Sequence, residues 1–406
     1  MREITNARLF LLTIAISVVT ANAYYIHPII GRVAESFSVS PSMVGLVPAL
    51  NQIALAAGIL LLLPLGDRMS NRRLVSIVVS GQSFSILLMA LSPNFILFTI
   101  GSTVLGFFTI APYLLPAYVS KRVHADKLGH ATATLTLGVM AGIIAARAGG
   151  GIIAENFGWQ SVYFIAASLM ILFSFLLPMI MEDSESKTSE SYGHPRQNYF
   201  NLLGSLIPLI KLYPNIVLSG VIQGLSFGIF LAVWLGIGLH LTSAEMGYGV
   251  DVVGYLAGLS IVNLLTLPFL GRLADKIGAQ NTRMLFACVQ FVSMLMFGFC
   301  GDSPWLLIAP IILMHLAGPT IDLTGRMLTL SQTAEIRTRL MTIYIALMFI
   351  GGGLSSWAGT AAYEYGGWLA CIALVTALSL AVLALSFWSW RQDRLIRAEP
   401  SLSLID

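Results

Sequence analysis

Polar and apolar residues fall in blocks along this 406-residue chain, without the alternation of half-buried strands. Crossing the roughly 30 Å hydrocarbon core of a bilayer takes about 20 mostly apolar residues in a helix. Twelve stretches meet that requirement: 9–30, 42–64, 74–92, 95–119, 131–154, 159–181, 214–240, 250–270, 282–300, 304–330, 339–362 and 366–389. They are about twice the length of a barrel strand and lack its period of two. The pattern predicts an all-α membrane protein with twelve transmembrane helices.

The connections are short and polar, with one exception. Residues 182–200 (EDSESKTSESYGHPRQNYF) are rich in Ser and Glu and have no apolar periodicity, which reads as a flexible linker. Asn201 to Tyr213 is apolar but short and contains Pro208 and Lys211, as in an interfacial helix. The expected organisation is a six-helix bundle over 1–181, a linker with a short interfacial helix over 182–213, a second six-helix bundle over 214–390, and a tail over 391–406. An internal repeat supports this division. Gly66-Asp67-Arg68 follows the second stretch and Asp275 follows the eighth, 208 residues later. Gly158-Trp159 opens the sixth stretch and Gly367-Trp368 the twelfth, an offset of 209. Repeats of this kind mark transporter folds.

Charge adds orientation. Of the 22 Lys and Arg residues, 19 fall in the termini and the loops on their side, and only Arg32 falls in a loop on the other. Arg147 and Arg326 lie within spans. The positive-inside rule therefore puts both termini in the cytoplasm. Composition agrees with lipid as the solvent: 57% of residues are hydrophobic and 10% charged, against about 25% charged in soluble domains.

Arg2, Arg8, the run from Leu9 to Val19 and Ala21-Asn22-Ala23 together mimic a secretory signal with its cleavage site. The apolar stretch continues to Ile30, so it is expected to stay as the first span. Cys288, Cys300 and Cys371 form no CxxC pair or His/Cys cluster, so neither metal nor cofactor is expected. No GxSxG, HExxH or comparable constellation points to an enzyme.

Gly271-Arg272-Leu273-Ala274-Asp275-Lys276-Ile277-Gly278 matches GxLADxxG, the loop signature of the major facilitator superfamily, and the chain resembles that superfamily over essentially its whole length. The first copy is degenerate, with Leu63 and Ser70 where glycines belong, but it keeps Asp67, Arg68, Arg72 and Arg73. Asn22-Ala23-Tyr24-Tyr25-Ile26-His27-Pro28 resembles the NxYYxQP pattern of a bacterial twelve-helix branch grouped with drug–proton antiporters, with His27 in place of Gln. Ala146-Arg147-Ala148-Gly149-Gly150-Gly151 resembles that branch's ARxxxG segment. Two drug-exporter features are missing: Ser102 stands where the helix-4 arginine would fall, and helix 5 lacks the antiporter Gly-Pro. The resemblance implies two pseudo-symmetric six-helix bundles around a cavity lined by helices 1, 4, 7 and 10. It also implies alternating access, with Asp67, Arg68, Arg72, Arg73, Gly271, Asp275, Lys276, Gly278 and Arg283 in gating loops.

Charges in a bilayer cost about 2.5–3.5 kcal/mol each on insertion scales, so those that occur are functional candidates. On helix 10, Asp322 and Arg326 follow His315 by seven and eleven residues. At 100° per residue the three lie within about 20° of one line. Asp322 is a candidate protonation site with Arg326 as its charge partner; an internal ion pair is the alternative. Arg147 suits an anionic group of the substrate, a gate, or a structural contact to carbonyls. Asn22, Tyr24 and Tyr25 are candidate solute contacts, with the aromatic belt as the alternative for the tyrosines. His27 is read as near the outer end of helix 1. Isolated Gln52, Gln223, Asn263 and Gln290 read as helix-to-helix hydrogen bonds.

The expected function is proton-coupled efflux of a small organic solute across a bacterial inner membrane by a monomer with no nucleic-acid partner. Uptake or facilitated transport of a small organic anion is the alternative.

Overall fold

In a bilayer the backbone must satisfy its own hydrogen bonds, which a helix does within one segment. A computed structural model describes residues 4–67, 69–120, 122–124, 127–182 and 199–398, and no strand occurs among them. Among the described residues eleven helices are long and apolar enough to cross a membrane. They are α1 (Asn6–Phe37), α2 (Pro41–Gly66), α3 (Asn71–Ala90), α4 (Phe95–Ser120), α5 (Leu128–Phe157), α6 (Trp159–Ile180), α7 (Pro214–Leu241), α8 (Val250–Ile277), α9 (Ala279–Phe299), α10 (Ile308–Leu330) and α11 (Ile336–Leu395).

The twelve stretches become eleven helices because the last two run together in α11. Its 60 residues would reach about 90 Å as one rod, three times the core of about 30 Å. The backbone leaves helical geometry at Gly366 and Gly367, the latter at φ 64°, so α11 is two arms joined at a kink. A Cβ is strained at that φ, which is why glycine stands there.

Several other spans are interrupted. α1 is helical over Asn6–Ala21 and Ile26–Phe37 with a turn between. α4 breaks between Phe108 and Ala111, just before Pro112, whose ring would clash with the carbonyl four residues back. α5 contains a π-helical turn over Ala145–Gly149, and α8 breaks between Gly258 and Ile261.

The two largest apolar cores among the described residues come one mainly from α1–α6 and one mainly from α7–α11; the first spreads onto Leu235, Leu239 and Tyr344, among others. Buried amides cross-link helices inside each group. Asn51 Nδ2 donates to the Ser102 carbonyl at 2.7 Å and Gln290 Nε2 to Ser226 Oγ at 2.9 Å. Such bonds replace the hydrophobic drive that lipid removes. Between the groups, close backbone approaches gather at the end where α1 finishes and α2 begins. There Gly238 meets the His27 carbonyl, Gly45 meets Thr360, and Gly151 meets Val250 and Gly254. A side chain on Gly151 would collide with that backbone.

Three sequence expectations shift. Gly271 to Ile277 is not a loop but the last turns of α8, since nothing interrupts the helix until Gly278 at φ 89°. Asp67 ends a 3-10 turn, Leu63–Asp67, while its side chain and all of Arg68 lie outside the described residues, as do 183–198 and 399–406. The expected interfacial helix is two short ones, Tyr199–Gly204 and Leu206–Leu212, separated at Ser205.

Candidate functional site

A cavity of about 470 Å³ lies between the two groups, walled by α1, α4 and α5 on one side and α7, α8, α10 and α11 on the other. The interruptions in the spans are what furnish it. Tyr24 comes from the turn in α1, Arg147 from the π-turn of α5, Ser260 from the break in α8, and Pro112 and Tyr113 follow the break in α4. A π-turn inserts one residue into the helical register and turns the following side chains, a device common at functional sites.

Arg147 is fully buried, and none of its three nitrogens has an acceptor among the described residues. Its guanidinium carbon lies 4.6 Å from the ring centre of Phe230, 5.0 Å from Tyr24 and 5.2 Å from Trp234. Phe230 and Trp234, four apart on α7, present one face to it.

Asp322 is tied on both oxygens. Arg326 Nε donates to its Oδ2 at 2.8 Å, and the Tyr344 hydroxyl, on α11, donates to its Oδ1 at 3.0 Å. The Asp322 and Arg326 side chains remain 25% and 33% exposed, so the pair is reachable from the cavity. About two helical turns away on α10, His315 is held by α8. Asn263 Nδ2 lies 3.2 Å from its Nδ1 and Ser260 Oγ lies 3.3 Å from its Nε2. With the amide donating to Nδ1, the ring is the neutral Nε2–H tautomer.

The structure thus brings together Tyr24, Arg147, His315, Asp322 and Arg326 of the predicted site residues. It does not bring Asn22, Tyr25 or His27 to the cavity wall. Asn22 and His27 are buried with no side-chain hydrogen bond among the described residues, His27 packs edge-to-face on Tyr24 at 5.4 Å, and Tyr25 packs on Tyr163 at 6.4 Å. Residues 22–25 are a turn, so Asn22 and Tyr25 do not share the face that a continuous helix would give them. The same turn buries Tyr24 at 9% exposure instead of leaving it in an aromatic belt.

The expected gating residues divide. Asp275, Lys276 and Arg73 are exposed, Arg72 is half-buried, and no salt bridge found among the described residues involves Asp275. Arg283 is instead 1% exposed inside the second group. Its Nη1 donates to Ser219 Oγ at 2.9 Å, and its Nη2 donates to Gln280 Oε1 and Ser389 Oγ at 2.5 Å each. It ties α9 to α7 and to the second arm of α11, because it lies one turn into α9 on the face turned away from solvent.

Sequence reasoning missed Tyr113, Gln223, Phe227, Phe230, Asn263 and Phe349 as cavity residues. Gln223 and Asn263 were visible as isolated polar residues within spans. The aromatic residues carried no signal, because an aromatic side chain in a membrane helix reads the same whether it faces lipid, core or cavity.

A polytopic helical protein with a polar-tipped cavity between two helix groups, lined in part from broken spans, has the construction of a membrane transporter. The chain belongs to the Major Facilitator Superfamily, whose family model matches residues 12–318 and 216–403. It is similar to the uncharacterized transporter YgaY of Escherichia coli O157:H7, 27% identical over 96% of both chains. It is 28% identical to the probable transporter SCO4007 of Streptomyces coelicolor, over 89% of this chain and 83% of that one. The multidrug resistance protein MdtG of Escherichia fergusonii is 26% identical over 83% of this chain and 81% of its own. In fold it is similar to a bacterial homolog of the human lysosomal transporter Spinster in an inward-facing, unoccupied conformation. There the TM-score is 0.76 at 13% identity, over 97% of this chain and 98% of that one. The nucleoside transporter NupG matches with a TM-score of 0.74 at 13% identity, over 96% and 100%. The protein is a membrane transporter and not an enzyme.

Proposed function

We propose that this transporter moves a small organic solute out of the cytoplasm by alternating access, driven by proton entry. The observation that carries the reading is the Asp322 constellation. A single cavity carboxylate is shared by a cation on its own helix and a hydroxyl on a neighbouring one. A proton and a moving Arg326 can compete for such a group, which is what coupling requires. The resemblance to MdtG, whose name states multidrug resistance, supports the outward direction.

On this reading the kink in α11 separates an eleventh span from a twelfth, giving two pseudo-symmetric six-helix halves over 1–181 and 214–390, joined by 182–213 and followed by the 391–406 tail. Both termini face the cytoplasm of a bacterial inner membrane, and the working unit is a monomer. The end closed by Gly151 and Gly254 is then the outer one, and the cavity is in an inward-facing state, like the Spinster homolog named above. Asp67, Arg68, Arg72, Arg73, Gly271, Asp275, Lys276 and Gly278 would pair across the cytoplasmic ends when the cavity opens outward. His315 holds α8 against α10, while Asn22, Tyr25 and His27 support the turn that presents Tyr24.

Comparing the solutes exported by cells with and without the protein supplies a substrate for proteoliposomes. Asp322→Asn is expected to abolish accumulation driven by a pH gradient while retaining solute exchange. Normal gradient-driven accumulation by Asp322→Asn would rule out the coupling role.

A further inference from the structure

We propose that the Arg147 cage is the anchoring subsite for an organic monoanion: a carboxylate carried on an apolar body that includes an aromatic ring. This rests on the transport reading for the purpose of the cavity, and it adds the class of solute.

An arginine keeps its charge in any protein environment, and its N–H groups need acceptors. Here the rings of Tyr24, Phe230 and Trp234 surround the guanidinium, while no oxygen of the described residues meets Nε, Nη1 or Nη2. Cation–π attraction offsets part of the burial cost but leaves those hydrogen bonds unmade. Arg147 also lines the cavity. A group entering the cavity with two coplanar oxygens meets this unmet demand, and a carboxylate on a guanidinium fork is the matching pair.

The charge balance of the wall selects the valence. The other cavity cation, Arg326, is neutralised by Asp322. One uncompensated positive charge remains, which suits a monoanion and leaves a phosphate monoester with an unpaired charge. It also disfavours a cationic solute, since both oxygens of Asp322 are taken. The rest of the wall selects the body. Tyr113, Met140, Ile143, Phe227 and Phe349 give it a mainly apolar, aromatic surface, and the Gln223 Oε1 atom, without a protein donor, can accept one hydrogen bond.

The test uses the purified full-length protein in lipid nanodiscs and titration calorimetry. The probes are 1-naphthylacetate and 4-phenylbutyrate, each paired with its neutral primary amide. Loss of a buried charge-assisted contact predicts that the acids bind at least about tenfold more tightly than the amides. Arg147→Gln should erase that preference, and Phe230→Leu should reduce it. If Arg147→Gln does not fold, the wild-type ratio of acid to amide still decides, and Arg147→Lys should keep the preference with weaker binding. Acids and amides binding alike, neither acid binding, or an undiminished preference in Arg147→Gln would each overturn the proposal. So would chloride competing as well as the acids do, which would make this an inorganic counter-ion site only. Counterflow in proteoliposomes separates the two readings. Acid binding without flux leaves the subsite standing and removes the transport reading. Flux of a neutral or cationic solute that Arg147→Gln leaves unchanged retains transport and removes the subsite.

Discussion

Glu155 and Glu364 stand 209 residues apart and make the same kind of contact with opposite groups of helices. Glu155, at the end of α5, accepts from the N–H of Val250 at 3.0 Å, at the start of α8. Glu364, beside the kink of α11, accepts from the N–H of Ser42 at 2.7 Å, at the start of α2. A helix start exposes unsatisfied N–H groups and the positive end of its dipole, so a carboxylate from another helix is a natural latch. The copies differ in one respect: Arg32 Nη2 lies 3.5 Å from Glu155 Oε2, and no salt bridge among the described residues involves Glu364.

Neutralising the latches should loosen this end. With spin labels at Ser36→Cys and Ala244→Cys, Glu155→Gln combined with Glu364→Gln is expected to add a longer population to the interlabel distance distribution. The Glu155→Gln single mutant should do so more than Glu364→Gln, because it also removes the nearer ion-pair partner of Arg32. Superimposable distributions for the double mutant and the parent would show that the carboxylates do not hold this end closed.

The close contact of Gly151 with Val250 and Gly254 makes a steric prediction. Gly151→Leu should lower transport by at least an order of magnitude while leaving expression and membrane insertion near normal, because the bulk falls between two helix groups and spares the core of either. The same labelled pair should report separation. Near-parental transport in Gly151→Leu would mean that this approach is not needed for the cycle.

Tyr344 donates to Asp322 without lending it charge, so its removal tests the carboxylate gently. Tyr344→Phe is expected to shift the pH at which transport is half-maximal, whereas a purely packing role would scale the rate at every pH alike. Measuring the pH profile in proteoliposomes distinguishes the two.

Arg283 and Asp275 should behave oppositely, although the same motif-based reasoning groups them. Arg283→Ala removes charged hydrogen bonds to Ser219, Gln280 and Ser389, a loss on the order of 2–3 kcal/mol, and should lower the melting temperature in detergent. Asp275→Asn, on an exposed side chain, should leave melting unchanged and slow transport. An unchanged melting temperature for Arg283→Ala would contradict its role as a tie between helices.

Topology can be checked in intact cells. Cysteine at Ser70 should react with impermeant maleimide only from the cytoplasm and at Ser243 only from outside. Labelling of both from one side would rule out the proposed arrangement of spans.

What the sequence determined by itself is what lipid imposes locally. Runs of about 20 apolar residues must be helices because no other segment satisfies its backbone in hydrocarbon. Asp322 and Arg326 could be paired from numbering alone, since four residues along a helix is a fixed geometry. Gly367 was readable as a landmark of the repeat, though not as the kink that divides α11. Tertiary structure decided everything that depends on which face of a helix meets which neighbour. It moved Asn22, Tyr25 and His27 off the cavity by turning the backbone at 22–25, and carried Arg283 from an expected loop into the packing of α7, α9 and α11. It also gathered Tyr24 from α1 and Phe230 and Trp234 from α7 around Arg147 of α5. These contacts join residues more than eighty positions apart, and in a bilayer an apolar face turned toward lipid and one turned toward a partner have the same composition. Only the packing of the helices against one another tells them apart.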